Sequence, residues 1–143
     1  MIETERLYLI PLTASQLKLW IEDISSLEKE LNCCYRAEHL EGMFLDIVKG
    51  QLEKTEKDKI NYLFHSFWFL IRKTDRVVVG SADFKGVPNE NNEVEIGYGL
   101  GKAYEHNRKN NMVALISNAI SNINCIFVTE FYLRKNQNFS TFS

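Results

Sequence analysis

Apolar and polar positions alternate over Arg6 to Leu12 (RLYLIPL), the period of a half-buried strand. The period then lengthens. Leu17, Ile21, Ile24 and Leu31 recur at helical spacing behind Thr13 and Gln16, three residues apart, the signature of a capping box. A second helix is expected over about Glu38 to Lys54, with Leu40, Met43, Phe44, Ile47, Val48 and Leu52 on one stripe. Lys54 to Lys59 reads as a polar link. Beyond it, Phe67 to Lys73 predicts a strand, Thr74 to Arg76 a tight turn, and Val77 to Lys85 the hairpin partner. Gly86 to Asn92 turns the chain into a third strand, Glu93 to Gly101. A polar stretch, EHNRKNN, precedes Met112, Leu115, Ile116, Ala119, Ile120 and Ile123 at helical spacing, and Cys125 to Leu133 predicts a last strand. The order is β, αα, βββ, α, β, without internal repeats. Strand, helix, strand at this length implies a right-handed crossover that sets the last strand parallel to Glu93–Gly101.

That third strand holds the most informative pattern. Val94, Ile96, Tyr98 and Leu100 share one face, and Glu93, Glu95, Gly97, Gly99 and Gly101 share the other. Glycine inside a strand costs stability and marks a bulge or a close approach by a ligand or another backbone. Three glycines at period two beside Glu95 point to a small-molecule site, whereas a twisted turn exit would need only one.

Composition narrows the class. With 143 residues, 45% of them hydrophobic and 25% charged, one domain spanning 1–143 is expected, able to bury roughly two thirds of its unfolded surface. A formal charge of -2 leaves no footprint for nucleic acid or an anionic membrane. No apolar run reaches a membrane span, and MIETERLYLIPL lacks the regions of a signal peptide, so a cytoplasmic location is expected. Cys33, Cys34 and Cys125 read as reduced thiols. His39, His65 and His106 are too scattered for a metal site.

Thr4 to Leu12 (TERLYLIPL), the spacing from Gly80 to Phe84, and Glu95 to Tyr98 (EIGY) together resemble the GNAT superfamily of acetyl-CoA-dependent N-acetyltransferases, particularly the branch related to ribosomal-protein N-terminal acetylation. The resemblance covers Ile2 to about Lys135. It implies an α/β, layered α+β fold with a mixed, mostly antiparallel sheet and helices on both faces, the last helix and two strands of the family being missing. It also implies acetyl transfer from acetyl-CoA to a primary amine of a small molecule or protein N-terminus. Backbone groups of Gly97, Tyr98, Gly99 and Leu100 would hold the pantetheine arm. Asn107, Arg108, Lys109, Asn110, Asn111 and Met112 would hold the pyrophosphate at a helix N-terminus, where free N–H groups and the helix dipole attract phosphate. Lys102 and His106 add cationic reach.

The family's phosphate loop has two small residues after a Gln or Arg, yet no glycine follows Gly101 here and Asn110 stands at the first small position. Binding is therefore expected to be weak. Glu95 is the candidate base, with a plain acidic strand residue as the alternative; the family's tyrosine acid has no counterpart, since no tyrosine follows Tyr132. A non-catalytic chain of the same fold, binding an acyl-CoA or a protein, is the second reading. A reading-frame shift near Asn107 is a third. The apolar last strand, open at its outer edge, implies a homodimer.

Overall fold

The computed structural model describes residues 1–91, residues 93–100 and a strand over 126–135. Its elements are β1 (Ile2–Glu3), β2 (Leu7–Pro11), α1 (Ala14–Glu22), α2 (Ile24–Leu31), β3 (Cys34–Tyr35), α3 (Gly42–Lys57), α4 (Tyr62–His65), β4 (Phe67–Arg72), β5 (Val77–Phe84), β6 (Glu93–Leu100) and β7 (Ile126–Lys135). The sheet runs β1-β2-β4-β5-β6-β7, and β3 lies beside β5. Neighbours along that path are antiparallel except β6 and β7, which are parallel. The expected layered α+β class and mixed, mostly antiparallel sheet are thus borne out. The helix expected from Met112 lies outside the described residues.

Local chemistry explains where the elements begin and end. Thr13 caps α1 in a full capping box with Gln16. The single helix expected from Leu17 to Leu31 is instead two, because Asp23 leaves helical geometry (φ -154, ψ 78) to end α1, and its carboxylate accepts the N–H of Ser26 to start α2. Asn32 closes α2 in the left-handed conformation, which asparagine tolerates. Arg76 then ties that helix end to the β4–β5 turn, donating to the carbonyls of Leu31 (2.9 Å) and Asn32. The second helix begins at Gly42 rather than Glu38, so Leu40 of the predicted stripe is buried ahead of it and Met43 is 66% exposed. The short elements β1, β3 and α4 carry too few residues for a periodicity to show.

Both faces of the sheet carry helices. On one, Phe67 and Phe69 of β4 pack with Trp20 of α1 and Phe44 of α3, all buried. Trp20 meets Phe69 edge-on at 4.9 Å between ring centres and Phe67 at 5.5 Å, a favoured aromatic geometry. Tyr35 stacks on Phe69 at 5.9 Å. On the other face α4 sets Phe64 against Phe84 of β5 at 5.1 Å, and its Leu63 carbonyl accepts the indole N–H of Trp68 at 2.9 Å.

A one-residue excess at Val79 shifts the β4–β5 register, since Leu70 faces Gly80 and Ile71 faces Val78. Opposite β4, two strands share the remaining edge of β5. β3 pairs with Val77 and Val78, and β6 with Gly80 to Phe84.

Candidate functional site

The β5–β6 register assembles the glycine strand's polar face. Asp83 lies opposite Gly97 and Ser81 opposite Gly99. The Lys85 N–H donates to the Glu95 carbonyl at 3.0 Å, extending the pairing by one step. Residues opposite one another across antiparallel strands share a face. Ser81, Asp83 and Lys85 therefore lie on the same side as Gly97, Gly99 and Glu95. Phe67 opposite Asp83 and Phe69 opposite Ser81 carry this face into the aromatic core under α1 and α3.

The face is covered over most of its length. Gly97 and Gly99 are buried, Asp83 is 3% and Ser81 6% exposed, and Glu95 is half-buried. Its Glu95 end opens into a cavity of about 200 Å³ lined by Lys85, Val87, Asn89, Glu93 and Glu95 among others. That cavity sits in the crook of the β5–β6 turn, which side-chain hydrogen bonds organise. Asn89 Oδ1 accepts the N–H groups of Asn91 (2.8 Å) and Glu93 (3.0 Å), and Asn89 Nδ2 donates to Glu93 Oε1 at 3.1 Å. Gly86, at φ +141, supplies backbone that other residues rarely adopt.

The outer edge of β6 follows from the same register. Glu95 faces Lys85 as a hydrogen-bonded pair, so Glu95, Gly97 and Gly99 direct their peptide groups to β5, and Ile96, Tyr98 and Leu100 direct theirs to β7. Of the backbone groups expected to meet a cofactor, Tyr98 and Leu100 thus have the outward direction. β7 runs along them, pairing Ile96 with Phe131 through to Leu100 with Lys135. It gains two residues on β6 between Phe127 and Phe131, beside Glu95. The edge along which a pantetheine arm is expected to meet Gly97 to Leu100 is the one that β7 pairs with.

Asn107, Arg108, Lys109, Asn110, Asn111 and Met112 lie outside the described residues, with Lys102 and His106. Asp83 was not anticipated, although Ala82 and Phe84 on either side mark it as a polar residue on the inward alternation of an apolar strand. Burial, and then the nearby Glu28 carboxylate, push the Cys33 thiol up to about 11, so it is protonated at neutral pH. Neither Cys33 nor Cys34 is in a disulfide. The His65 imidazole meets the Asp58 carboxylate at 2.9 Å. Among the described residues no cluster could hold a metal ion, and no helix is long and apolar enough to cross a membrane.

No protein-family model matches this chain, and no curated protein does. Solved structures resemble it distantly. A protein designated a ribosomal-protein-serine acetyltransferase from Vibrio cholerae is 16% identical, with a TM-score of 0.49 over 92% of this chain and 71% of that one. The ribosomal-protein-S5-alanine acetyltransferase from Vibrio fischeri is 12% identical, with a TM-score of 0.48 over 83% of this chain and 64% of that one. A protein designated a GNAT-family acetyltransferase from Bordetella pertussis is 17% identical, with a TM-score of 0.49 over 92% and 76%. Likenesses at this level carry neither membership nor activity to this chain.

Proposed function

We propose that this chain is an N-acetyltransferase of the GNAT type that acts on a primary amine at Glu95, with acetyl-CoA as donor. The observation that carries the reading is Glu95 itself. It stands at the accessible end of a strand face whose next two positions are glycine, and a cavity opens beside it. An amine must lose its ammonium proton before it can attack a thioester, and a half-buried carboxylate at a cavity wall suits that task. The strand order, the parallel β6–β7 pair and the sequence resemblance support the same reading. In it the pyrophosphate falls to Asn107 to Met112, and β7 must yield the edge at Tyr98 and Leu100.

The second reading is a non-catalytic chain of this fold, and the pairing of β6 with β7 through Leu100 favours it. Calorimetric titration with acetyl-CoA separates the two. Weak binding, with acetylation of amines lost in Glu95→Gln, supports the enzyme. No binding by the full chain rejects it in favour of the second reading. Binding better than about 1 μM, near -8 kcal/mol, would show that a loop without glycine holds the phosphates well. Binding that survives charge reversal at Arg108 and Lys109 would remove those residues from the site.

We propose also that the chain forms a homodimer through β7, which ends the described strand order. Light scattering at micromolar concentration should give the dimer mass, and Val128→Pro should abolish it; a monodisperse parent monomer would refute the pairing.

A further inference from the structure

The apolar pattern of β6 does not by itself fix its register. Val94, Ile96, Tyr98 and Leu100 alternate with Glu95, Gly97 and Gly99, so a slide of two residues against β5 leaves every apolar side chain on its own face. In one direction the slide sets Glu95 opposite the buried Asp83, and two carboxylates meet. In the other it sets Gly97 opposite Lys85 and draws Glu95 roughly 7 Å back into the turn. No side chain of β6 opposes that second slide. The turn does. Asn89 Oδ1 accepts the N–H groups of Asn91 (2.8 Å) and Glu93 (3.0 Å), the Asn89 N–H donates to the Glu93 carbonyl at 2.9 Å, and Asn89 Nδ2 donates to Glu93 Oε1 at 3.1 Å. Glu93 is the first residue of β6, so the strand cannot feed residues into the turn without opening these bonds.

We propose that Asn89 is a positioning residue: its side chain sets the register of β6 and so decides that Glu95, rather than a glycine, stands at the open end of the strand face. This rests on the reading of Glu95 as the amine's base and adds what places it there. Asparagine suits the task because one amide group both accepts from backbone N–H groups and donates to a carboxylate. Asn89 acts through Glu93, its partner in the turn, and not on the reacting atoms.

NMR of the full chain reads the register without needing turnover, since the hydrogen-bonded pair of Lys85 and Glu95 brings their amide protons together across the strands. In Asn89→Ala that contact should weaken, with a second set of signals in which Lys85 faces Gly97. The acetylation kcat should fall about tenfold or more, because a misplacement of even ~1 Å can cost a hundredfold. Asn89→Asp keeps the acceptor oxygen and should restore both the contact and most of the rate. Asn89→Ser, a weaker acceptor, should show the same losses in smaller degree and keeps the test open should the alanine variant not fold. A Lys85–Glu95 contact that is undiminished in the variants, or a register that moves while kcat stays at the parental value, would overturn the proposal. The two readings fail separately. A register that depends on Asn89 in a chain that never acetylates an amine keeps the lock and refutes the transferase, whereas acetylation with a register indifferent to Asn89 does the reverse.

Discussion

One face of the sheet is built in two ways. At β4 it presents Phe67 and Phe69 to Trp20 and Phe44, and each ring is held edge-on by another. At β6, two strands away, it presents Gly97 and Gly99, with Asp83 and Ser81 set across from them and Glu95 at the open end. The first end gains its free energy from apolar burial. The second gives that up for polar groups beside a backbone with no side chains. Both lie on one continuous surface: the aromatic end fixes the helices over the sheet, and the glycine end leaves the backbone bare of side chains beside two buried polar groups.

The sharpest way to break the comparison is to remove a ring. Phe67→Ala should cost about 3–5 kcal/mol, because Phe67 is fully buried between Trp20 and Phe44 and the cavity left cannot collapse onto a rigid strand. Chemical denaturation measures it, and a loss below 1 kcal/mol would mean the cluster is not the keystone. At the other end, Glu95→Gln should lower acetylation at least about a hundredfold, equivalent to ~2.7 kcal/mol in the barrier, while the melting temperature stays put. A variant that acetylates at the parental rate would make Glu95 a strand residue and nothing more.

Two smaller effects belong to the framework alone. Thr13→Ala should cost about 1 kcal/mol by opening the capping box of α1, without altering ligand binding at Glu95. The turn leading out of β4 supplies a pH signature. Hydrogen bonds from Arg72, at 2.6 and 3.0 Å, hold the Asp75 carboxyl down to about 2 from its ordinary 3.8. A carboxylate with a lowered folded pKa contributes stability that is full above the unfolded value and lost as pH falls through the folded one. The contribution should therefore fade between about pH 4 and 2, and Asp75→Asn should flatten that part of the stability curve. Because the pair is solvent-exposed, the change should be small; a difference persisting below pH 2 would point to another group.

How much of this was legible beforehand differs by element. Strands β2 and β6 were readable because buried positions alternate with more accessible ones, β4 and β5, buried almost throughout, because β-branched and aromatic runs flank the Thr74–Arg76 turn, and the parallel placement of β7 followed from the length of its crossover. The break at Asp23 was hidden because Leu17, Ile21, Ile24 and Leu31 keep helical spacing across it; capping by one aspartate outweighed the periodicity. At the site, Glu95 and its glycines were visible as local parity. Asp83 and Lys85 were not, since their places opposite Gly97 and Glu95 depend on a register set by the Gly86–Asn91 turn. That β7 would run alongside Leu100 is likewise a property of two strands together, which no single segment encodes.

The edge of β5 opposite β4 has room for one strand at each position, and two segments claim it. β3 holds Val77 and Val78, β6 holds everything from Gly80 onward, and Val79 lies between them. The arrangement works as a ruler. Since β3 is tethered by the Cys34 N–H to the Arg76 carbonyl at 2.9 Å and by Arg76 to the end of α2, it occupies the part of the β5 edge that lies beyond the Gly80–Leu100 pair. The position of Glu95 is thereby measured from both ends, by the asparagine turn that starts its strand and by a dipeptide from the helical layer that limits how far the strand can run.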